Sequence, residues 1–156
     1  MRTTTLLLLG LGVALAAACQ PKADITAETA AINGVLKNYI VSIEKEDLDL
    51  YGRVMAHDPG MMNFGTSGEP IVGWEALRQL IAGQNAALSE TKITARDVTV
   101  HLASDGRFAW ATSLWNFKAM VGSASIDLPV RCTWILEKQK DGWAIVHFHK
   151  SVKASA

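Results

Sequence analysis

The sequence is poor in cysteine and proline and carries no surplus of charge of either sign. Its 156 residues include two cysteines and four prolines, and 15 Lys and Arg balance 15 Asp and Glu. Two cysteines are too few for a disulfide-stabilised scaffold, and without a basic surplus we expect no nucleic-acid partner. The longest apolar run, residues 6–18, is shorter than the roughly 20 residues that a transmembrane helix needs. The composition is otherwise that of a single domain with an apolar core.

The apolar run at the N-terminus has the form of a secretory signal peptide. One positive charge, Arg2, precedes residues 6–18, and three small residues lead directly to Cys19. This end resembles a bacterial lipobox, which implies that residues 1–18 are a lipoprotein signal peptide and that Cys19 is lipidated. A plain signal peptide, in which Cys19 has no role, is the alternative. We expect the lipid alone to hold the protein on the periplasmic face of a bacterial membrane. Gln20, directly after the cysteine, favours the outer membrane over the inner membrane.

The remaining sequence predicts a short tether, one α+β domain and a short tail. We assign residues 19–25 to the lipidated tether, residues 26–152 to the domain and residues 153–156 to the tail. Apolar residues at helical spacing predict three helices, at residues 26–46, 47–59 and 74–88. A short strand is predicted between the last two helices, at residues 61–65. The period then changes to two and predicts four long strands, at residues 93–102, 107–120, 125–138 and 143–152. Three helices before an antiparallel meander predict helices packed on one face of a sheet.

The predicted strands are apolar on both faces. In the third long strand, Cys132, Trp134 and Leu136 share one face, while Ile135 lies on the other. Since the helices cover only one face, we expect a homodimer packed through the outer face of the sheet. The apolar neighbours of Cys132 also predict a buried thiol with a structural role.

Three segments resemble the SnoaL-like domain of the nuclear-transport-factor-2-like superfamily. They are GWEAL at residues 73–77, RCTWILEKQKDGW at residues 131–143 and IVHFHKS at residues 145–151. That superfamily also contains ketosteroid isomerase and the hub domain of calmodulin-dependent kinases. The resemblance implies a cystatin-like curved antiparallel sheet of about four long strands plus a short one, closed by three N-terminal helices into a cone with an internal pocket. Since the superfamily contains enzymes and non-enzymes, the fold alone does not decide the function.

The isomerase pattern bears on whether the domain is an enzyme. The resemblance to ketosteroid isomerase places Tyr39 at the oxyanion donor and Asn63 at the general base. An amide does not accept a proton at neutral pH, and residues 60–65 contain no carboxylate, so that mechanism is not supported. Tyr39 and His149 stay as candidate catalytic residues without an assigned role. We therefore expect a non-catalytic module; a SnoaL-like isomerase, cyclase or lyase acting on a hydrophobic carbonyl compound is the alternative.

The HFH motif near the C-terminus raises the question of a metal site. His147 and His149 lie two apart on a strand and share a face, but a zinc site needs a third protein ligand. The resemblance instead points Phe148 and Lys150 into the pocket and the histidines outward. We therefore expect no metal and no cofactor, and histidines that pack at the dimer interface or beside Trp143.

The pocket is expected to combine apolar walls with a few polar groups, a combination that suits a small amphipathic molecule. Lys150 would pair with a carboxylate, as a basic residue does in the kinase hub. The candidate ligand-binding residues are Tyr39, Asn63, Trp110, Leu114, Trp134, Phe148 and Lys150. Aromatic side chains that fill the cone and leave no room for a ligand are the alternative. The sequence therefore predicts a lipid-anchored periplasmic module that binds a small apolar or weakly acidic ligand or a partner.

Overall fold

The computed structural model describes residues 24–66 and 68–153. The predicted signal peptide, the lipidation site Cys19 and residues 154–156 of the predicted tail lie outside these described residues. The helices are α1 (Ile25–Glu44), α2 (Leu48–Val54) and α3 (Trp74–Ala87). The strands are β1 (Met62–Asn63), β2 (Ile71–Val72), β3 (Ser89–Leu102), β4 (Phe108–Val121), β5 (Ala124–Gln139) and β6 (Gly142–Val152).

Local hydrogen bonds cap helix α1 at both ends. Its N-cap residue Asp24 accepts hydrogen bonds from the N–H groups of Thr26 and Ala27, at 3.0 and 3.1 Å. The helix ends two residues before the predicted position because Glu46 takes up a left-handed conformation with φ of 56°. The N–H of Asp47 then bonds to the Ser42 carbonyl at 2.9 Å, which completes the last turn.

Helix α2 is shorter than predicted because the chain after it joins the sheet. Asp47 caps its start by accepting the Leu50 N–H at 2.8 Å. The helix ends at Val54, and the N–H of Ala56 bonds to the Ile145 carbonyl at 2.8 Å. The sequence pattern predicted that this helix would continue to residue 59. Residues 55–59 instead contact β6 and form a turn.

Gly73 fixes the start of helix α3. Its φ of +83° lies in the region that favours glycine, and a Cβ at this position would meet the Pro59 carbonyl oxygen at 2.9 Å. Its N–H also bonds to the Met61 carbonyl at 2.7 Å. This close approach holds the α3 start against the loop that leads into β1.

The four long strands form one antiparallel sheet in the order β3-β4-β5-β6. This arrangement confirms the predicted α+β layout of three helices and a four-stranded antiparallel meander. The helices pack on the inner face, where Ile32 and Tyr39 of α1 are buried against Trp134 and Phe148 of the sheet. The predicted separation of faces in β5 is correct, since Cys132, Trp134 and Leu136 are buried while Ile135 is exposed.

A β-bulge interrupts the alternation of β6. Ile135 pairs with His147, but the next residue, Leu136, pairs with Ile145, so Val146 is an extra residue. The bulge allows Ile145 and Phe148, three residues apart, to be buried on the same face. Strict alternation along this strand would put Ile145 on the outer face beside His147, and the bulge explains why Ile145 is buried instead.

Two contacts tie the rest of the chain to β6. The Phe64 N–H bonds to the Phe148 carbonyl and the Lys150 N–H bonds to the Phe64 carbonyl, both at 2.9 Å, so the segment after β1 runs parallel to β6. Near the other end, Trp143 donates its indole N–H to Glu28 of α1 at 2.8 Å, and Lys138 pairs with the same carboxylate. Within the described residues, no helix is long and apolar enough to cross a membrane.

Candidate functional site

A cavity of about 220 Å³ lies between helix α3 and the inner face of the sheet. Its apolar wall comes from α3, β2 and strands β4 and β5 and includes Ile71, Leu80, Ile81, Phe117 and Leu128. Exposed polar residues from α3 and from the loop after α1 also line it, namely Gln84 and Glu46. Three of the lining residues lie on the core side: Trp115, Phe148 and Lys150.

Lys150 is surrounded by aromatic rings. Its Nζ lies 5.0, 5.2 and 4.9 Å from the ring centres of Tyr39, Trp115 and Phe148. Burial lowers the pKa of the Lys150 ammonium to about 8, against a small opposing effect of the neighbouring Cys132. Among residues 24–66 and 68–153, no carboxylate oxygen lies within 4.0 Å of this Nζ. The cavity therefore contains a partly desolvated cation without an anionic partner in the described chain.

Cation–π attraction offsets only part of the cost of desolvating Lys150. A cation over an aromatic face gains roughly 0.5–2 kcal/mol, depending on how far it is desolvated. Burial removes part of the hydration of the ammonium, and this desolvation is the main cause of its lowered pKa. An anion that enters the cavity would therefore meet a cation whose charge is poorly compensated.

Trp115 adds a second hydrogen-bond donor to the same region. The residue is 3% exposed, and its indole N–H has no acceptor among the described residues. A buried donor left unpaired costs on the order of 1–3 kcal/mol, so a ligand oxygen at this position would recover part of that cost. The Lys150 ammonium can recognise the oxygen atoms of a carboxylate or a carbonyl, and the Trp115 ring lies beside it in the cavity wall.

Asn63 is completely buried and holds β6 in place. Its Oδ1 accepts the N–H of Phe148 at 2.8 Å, while its Nδ2 has no acceptor among the described residues. Asn63 does not belong to the cavity lining. The structure therefore gives this amide a positioning role next to Phe148 and no contact with a molecule in the cavity.

Tyr39 and Trp134 lie behind the cavity wall. Tyr39 is 0% exposed, and the Tyr51 hydroxyl donates to its hydroxyl at 3.5 Å. Burial raises the pKa of Tyr39 and that of Tyr51 well above their ordinary value, so both phenols stay protonated at neutral pH. The ring centres of Tyr39 and Trp134 lie 6.1 Å apart. The Tyr39 ring centre also lies 5.0 Å from the Lys150 Nζ, so Tyr39 is part of the aromatic surroundings of the ammonium.

The predicted inward orientation of Trp110 and Leu114 is wrong. In β4 the buried positions are Ala109, Ala111, Ser113 and Trp115, so the even-numbered residues face outward. Trp110 is 47% exposed and stacks on His101 at 5.0 Å on the outer face. Of the larger apolar side chains at these positions, Trp110 and Leu114 lie on the outer face and Trp115 lies on the inner face.

A register argument finds the correct face of β4. Val121 pairs with Ala124 across the two-residue turn, and counting back from that pair places Ser113 opposite Cys132. Since paired residues share a face and Cys132 is apolar and inward, Ser113 and Trp115 must face inward as well. Hydrophobicity alone does not identify Trp115 as a residue of the cavity. The position of the turn between β4 and β5 does, because it fixes which face of β4 each residue lies on.

His147 and His149 face outward as predicted, but their surroundings differ from the expectation. The Phe64 ring packs against both imidazoles, with ring centres 5.5 and 5.6 Å apart, and His147 Nδ1 donates to the Met62 carbonyl at 2.6 Å. Trp143 is buried on the inner side and bonds to Glu28, so the histidines do not flank it. In the described part of the chain, no three His, Cys, Asp or Glu side chains come together as a metal ligand set.

Cys132 is a buried free thiol on the inner face. It pairs in register with Lys150, and burial raises the pKa of its thiol to about 12, although the lysine charge opposes this shift. The thiol is therefore protonated at neutral pH and adds no negative charge beside the Lys150 ammonium.

The geometry can be compared with known proteins at the level of the fold. No curated protein sequence matches the chain. A nuclear transport factor 2 (NTF2-like) superfamily protein from Salmonella enterica superposes with a TM-score of 0.76 at 21% identity, over 84% of this chain and 94% of that one. A candidate calcium/calmodulin dependent protein kinase II association domain from Xanthomonas campestris has a TM-score of 0.70 at 19% identity, over 86% and 96%.

A candidate ketosteroid isomerase from Shewanella frigidimarina also superposes, with a TM-score of 0.65 at 23% identity, over 78% of this chain and 94% of that one. These likenesses confirm the predicted relation in fold to both branches of the superfamily. The sequence profile of the SnoaL-like domain matches residues 32–155. The chain therefore belongs to the SnoaL-like domain family.

Proposed function

We propose that this protein is a non-catalytic, lipid-anchored periplasmic binding module whose cavity holds a small apolar molecule that carries a carboxylate. The observation that carries the proposal is the Lys150 ammonium, which lies in an aromatic setting at the cavity without a carboxylate partner among the described residues. A charge-assisted hydrogen bond from this ammonium would anchor the acid group, and the wall formed by α3 and the sheet would take the apolar part.

The cavity volume limits the size of the ligand. A dry cavity of about 150 Å³ accommodates a benzene molecule. The 220 Å³ here therefore suits a single ring, or a short chain, with one small polar substituent. Such a molecule would place its carboxylate beside the Lys150 ammonium and its apolar part against the aromatic wall that includes Trp115.

The enzymatic alternative lacks support in the cavity. His149 is exposed on the outer face, and Tyr39 is buried behind the wall with a raised pKa, so neither candidate catalytic residue contacts the cavity. The carboxylate among the described lining residues is Glu46, which is exposed at the end of α1 and therefore solvated. A solvated carboxylate is a weak general base.

Calorimetric titration with benzoate and benzamide tests the proposal. The two probes have nearly the same shape, but only benzoate carries a charge. A charge-assisted hydrogen bond contributes about 1.5–3 kcal/mol, so we expect benzoate to bind at least about tenfold more tightly. Lys150→Met should remove this preference, whereas Lys153→Met, a change at an exposed lysine on the same chain end, should not. Equal affinity for the two probes would contradict the proposal.

The anchoring and the dimer are further parts of the same proposal. The apolar run and Cys19 support a lipid anchor, which metabolic labelling with a radioactive fatty acid would detect in the full chain and not in Cys19→Ala. The side chains of Phe108, Trp110 and Ile135, exposed by 43%, 47% and 40%, support a second copy packed on the outer face. Sedimentation should therefore give a dimer, and Trp110→Lys should give a monomer; a monomeric wild type would contradict the dimer.

A further inference from the structure

Lys150 is also the best-placed nucleophile of the described chain. Its side chain lines the cavity, and its Nζ is confined between three aromatic rings at 4.9 to 5.2 Å. Its backbone is fixed on both sides, by the N–H bond to the Phe64 carbonyl at 2.9 Å and by the register pair with Cys132. A neutral amine on this side chain has a lone pair that can attack a molecule in the cavity.

The surroundings of Lys150 favour the neutral amine. The three rings replace water around Nζ, and no carboxylate of the described residues lies within 4.0 Å to hold the proton. The neighbouring titratable groups, Tyr39 and Cys132, both have raised pKa values and stay uncharged at pH 7. With a pKa of about 8 in place of 10.5, about one Lys150 in ten is neutral at pH 7, against roughly one in three thousand for an ordinary lysine.

We propose that the neutral amine of Lys150 condenses with a small apolar aldehyde in the cavity and holds it as an imine. The nitrogen lone pair attacks the carbonyl carbon, and the carbonyl oxygen takes up a proton from the newly formed ammonium to give a carbinolamine. The nitrogen lone pair then expels this hydroxyl group, which leaves as water after taking one proton. The iminium loses the remaining proton, so that amine and aldehyde give imine and water without any oxidant or reductant.

The cavity limits which carbonyl compounds can react. Its apolar wall and volume of about 220 Å³ suit an aldehyde with a single ring or a short chain. This inference shares its cavity with the proposed function, but it depends on the neutral amine and not on the ammonium.

Reductive trapping with benzaldehyde and sodium cyanoborohydride tests the inference. The purified protein is treated at pH 7.5, digested, and mapped by mass spectrometry for benzylated lysines. We expect Lys150 to be labelled at least about tenfold faster than the exposed Lys153. The neutral fraction of Lys150 is larger, and binding in the cavity raises the local concentration of the aldehyde beside it. Lys150→Arg, which has no nucleophilic amine, should lose this fast phase while circular dichroism shows a folded protein.

The outcomes separate this inference from the proposed function. Labelling of Lys150 no faster than that of Lys153 in the folded wild type would overturn the inference, and benzoate binding measured in parallel would leave the proposed function standing. Fast labelling of Lys150 in a protein that does not bind benzoate would support the inference and contradict the proposed function. Slowing of the label by benzoate would place both ligands in the same cavity.

Discussion

The affinity for benzoate should fall steeply above pH 8. In the proposed complex only the protonated form of Lys150 holds the carboxylate, and burial lowers the pKa of this group to about 8 in the free protein. From pH 7 to pH 9 the protonated fraction then drops about tenfold, so the apparent Kd should rise by about the same factor. An ordinary lysine, with a pKa of 10.5, would stay protonated over this range and leave the affinity almost constant.

The assay is a series of calorimetric titrations between pH 6.5 and 9.5, well above the range in which benzoic acid itself takes up a proton. Lys150→Arg provides a matched control, since its guanidinium stays charged throughout and should give a flat profile if it binds. Lys153→Met should reproduce the wild-type profile. A wild-type affinity that stays constant up to pH 9.5 would refute the reasoning, because the ammonium would then be well solvated or paired.

Three further predictions concern stability. Lys150→Met should raise the free energy of unfolding at pH 7 by about 1–3 kcal/mol, because it removes a charge that is buried on folding. The folded pKa of Lys150 lies below its unfolded pKa, so the wild type gains stability as pH rises from about 8 to 10.5. In urea melts, the difference between variant and wild type should therefore shrink over that range. Gly73→Ala should destabilise by about 2 kcal/mol or more because its φ is +83° and the new Cβ meets a backbone oxygen at 2.9 Å, whereas Gly83→Ala, an open position in α3, should stabilise slightly; equal effects would contradict the strain. Asn63→Leu should cost about 1–3 kcal/mol in chemical denaturation, because it leaves a buried β6 N–H without its acceptor, and an unchanged midpoint would show that Asn63 does not hold this strand.

The fold was predictable because turns and periodicity agree along most of the chain. The two-residue turns at Gly122–Ser123 and before Gly142 separate long alternating runs, and this pattern gives the meander directly. The helix boundaries were less predictable because they depend on contacts between distant residues. The end of α2 is set by the bond between Ala56 and the Ile145 carbonyl, which no local pattern contains.

The candidate site was only partly predictable. Phe148 and Lys150 line the cavity as the resemblance to the SnoaL-like domain implied, but the β-bulge at Val146 changes the face of the residues before it. A bulge adds one residue without a strong sequence signal, so it is visible only in the pairing of β5 with β6. Trp110 was assigned to the cavity together with other even-numbered residues of β4, while the register of the β4–β5 hairpin places Trp115 there instead.

The absence of a counter-ion for Lys150 could not be read from the sequence. The chain has as many acidic as basic residues, so a partner for each lysine is available on composition alone. The pairing depends on three-dimensional distances, and the carboxylates of Glu28, Glu44 and Asp127 are used by Lys138, Lys92 and Lys118. Two of the three rings around Lys150, those of Tyr39 and Trp115, likewise come from α1 and β4, which are distant from it in sequence.

The most direct test of the central claim is an NMR titration of the Lys150 side chain, assigned with Lys150→Arg, in the free protein and with saturating benzoate. We expect the ammonium to titrate near pH 8 in the free protein and at a higher pH when benzoate is bound, because a bound carboxylate stabilises the charged form. A midpoint near 10.5 in the free protein, or one that benzoate leaves unchanged, would contradict the claim that this cavity presents an uncompensated cation to an acidic ligand.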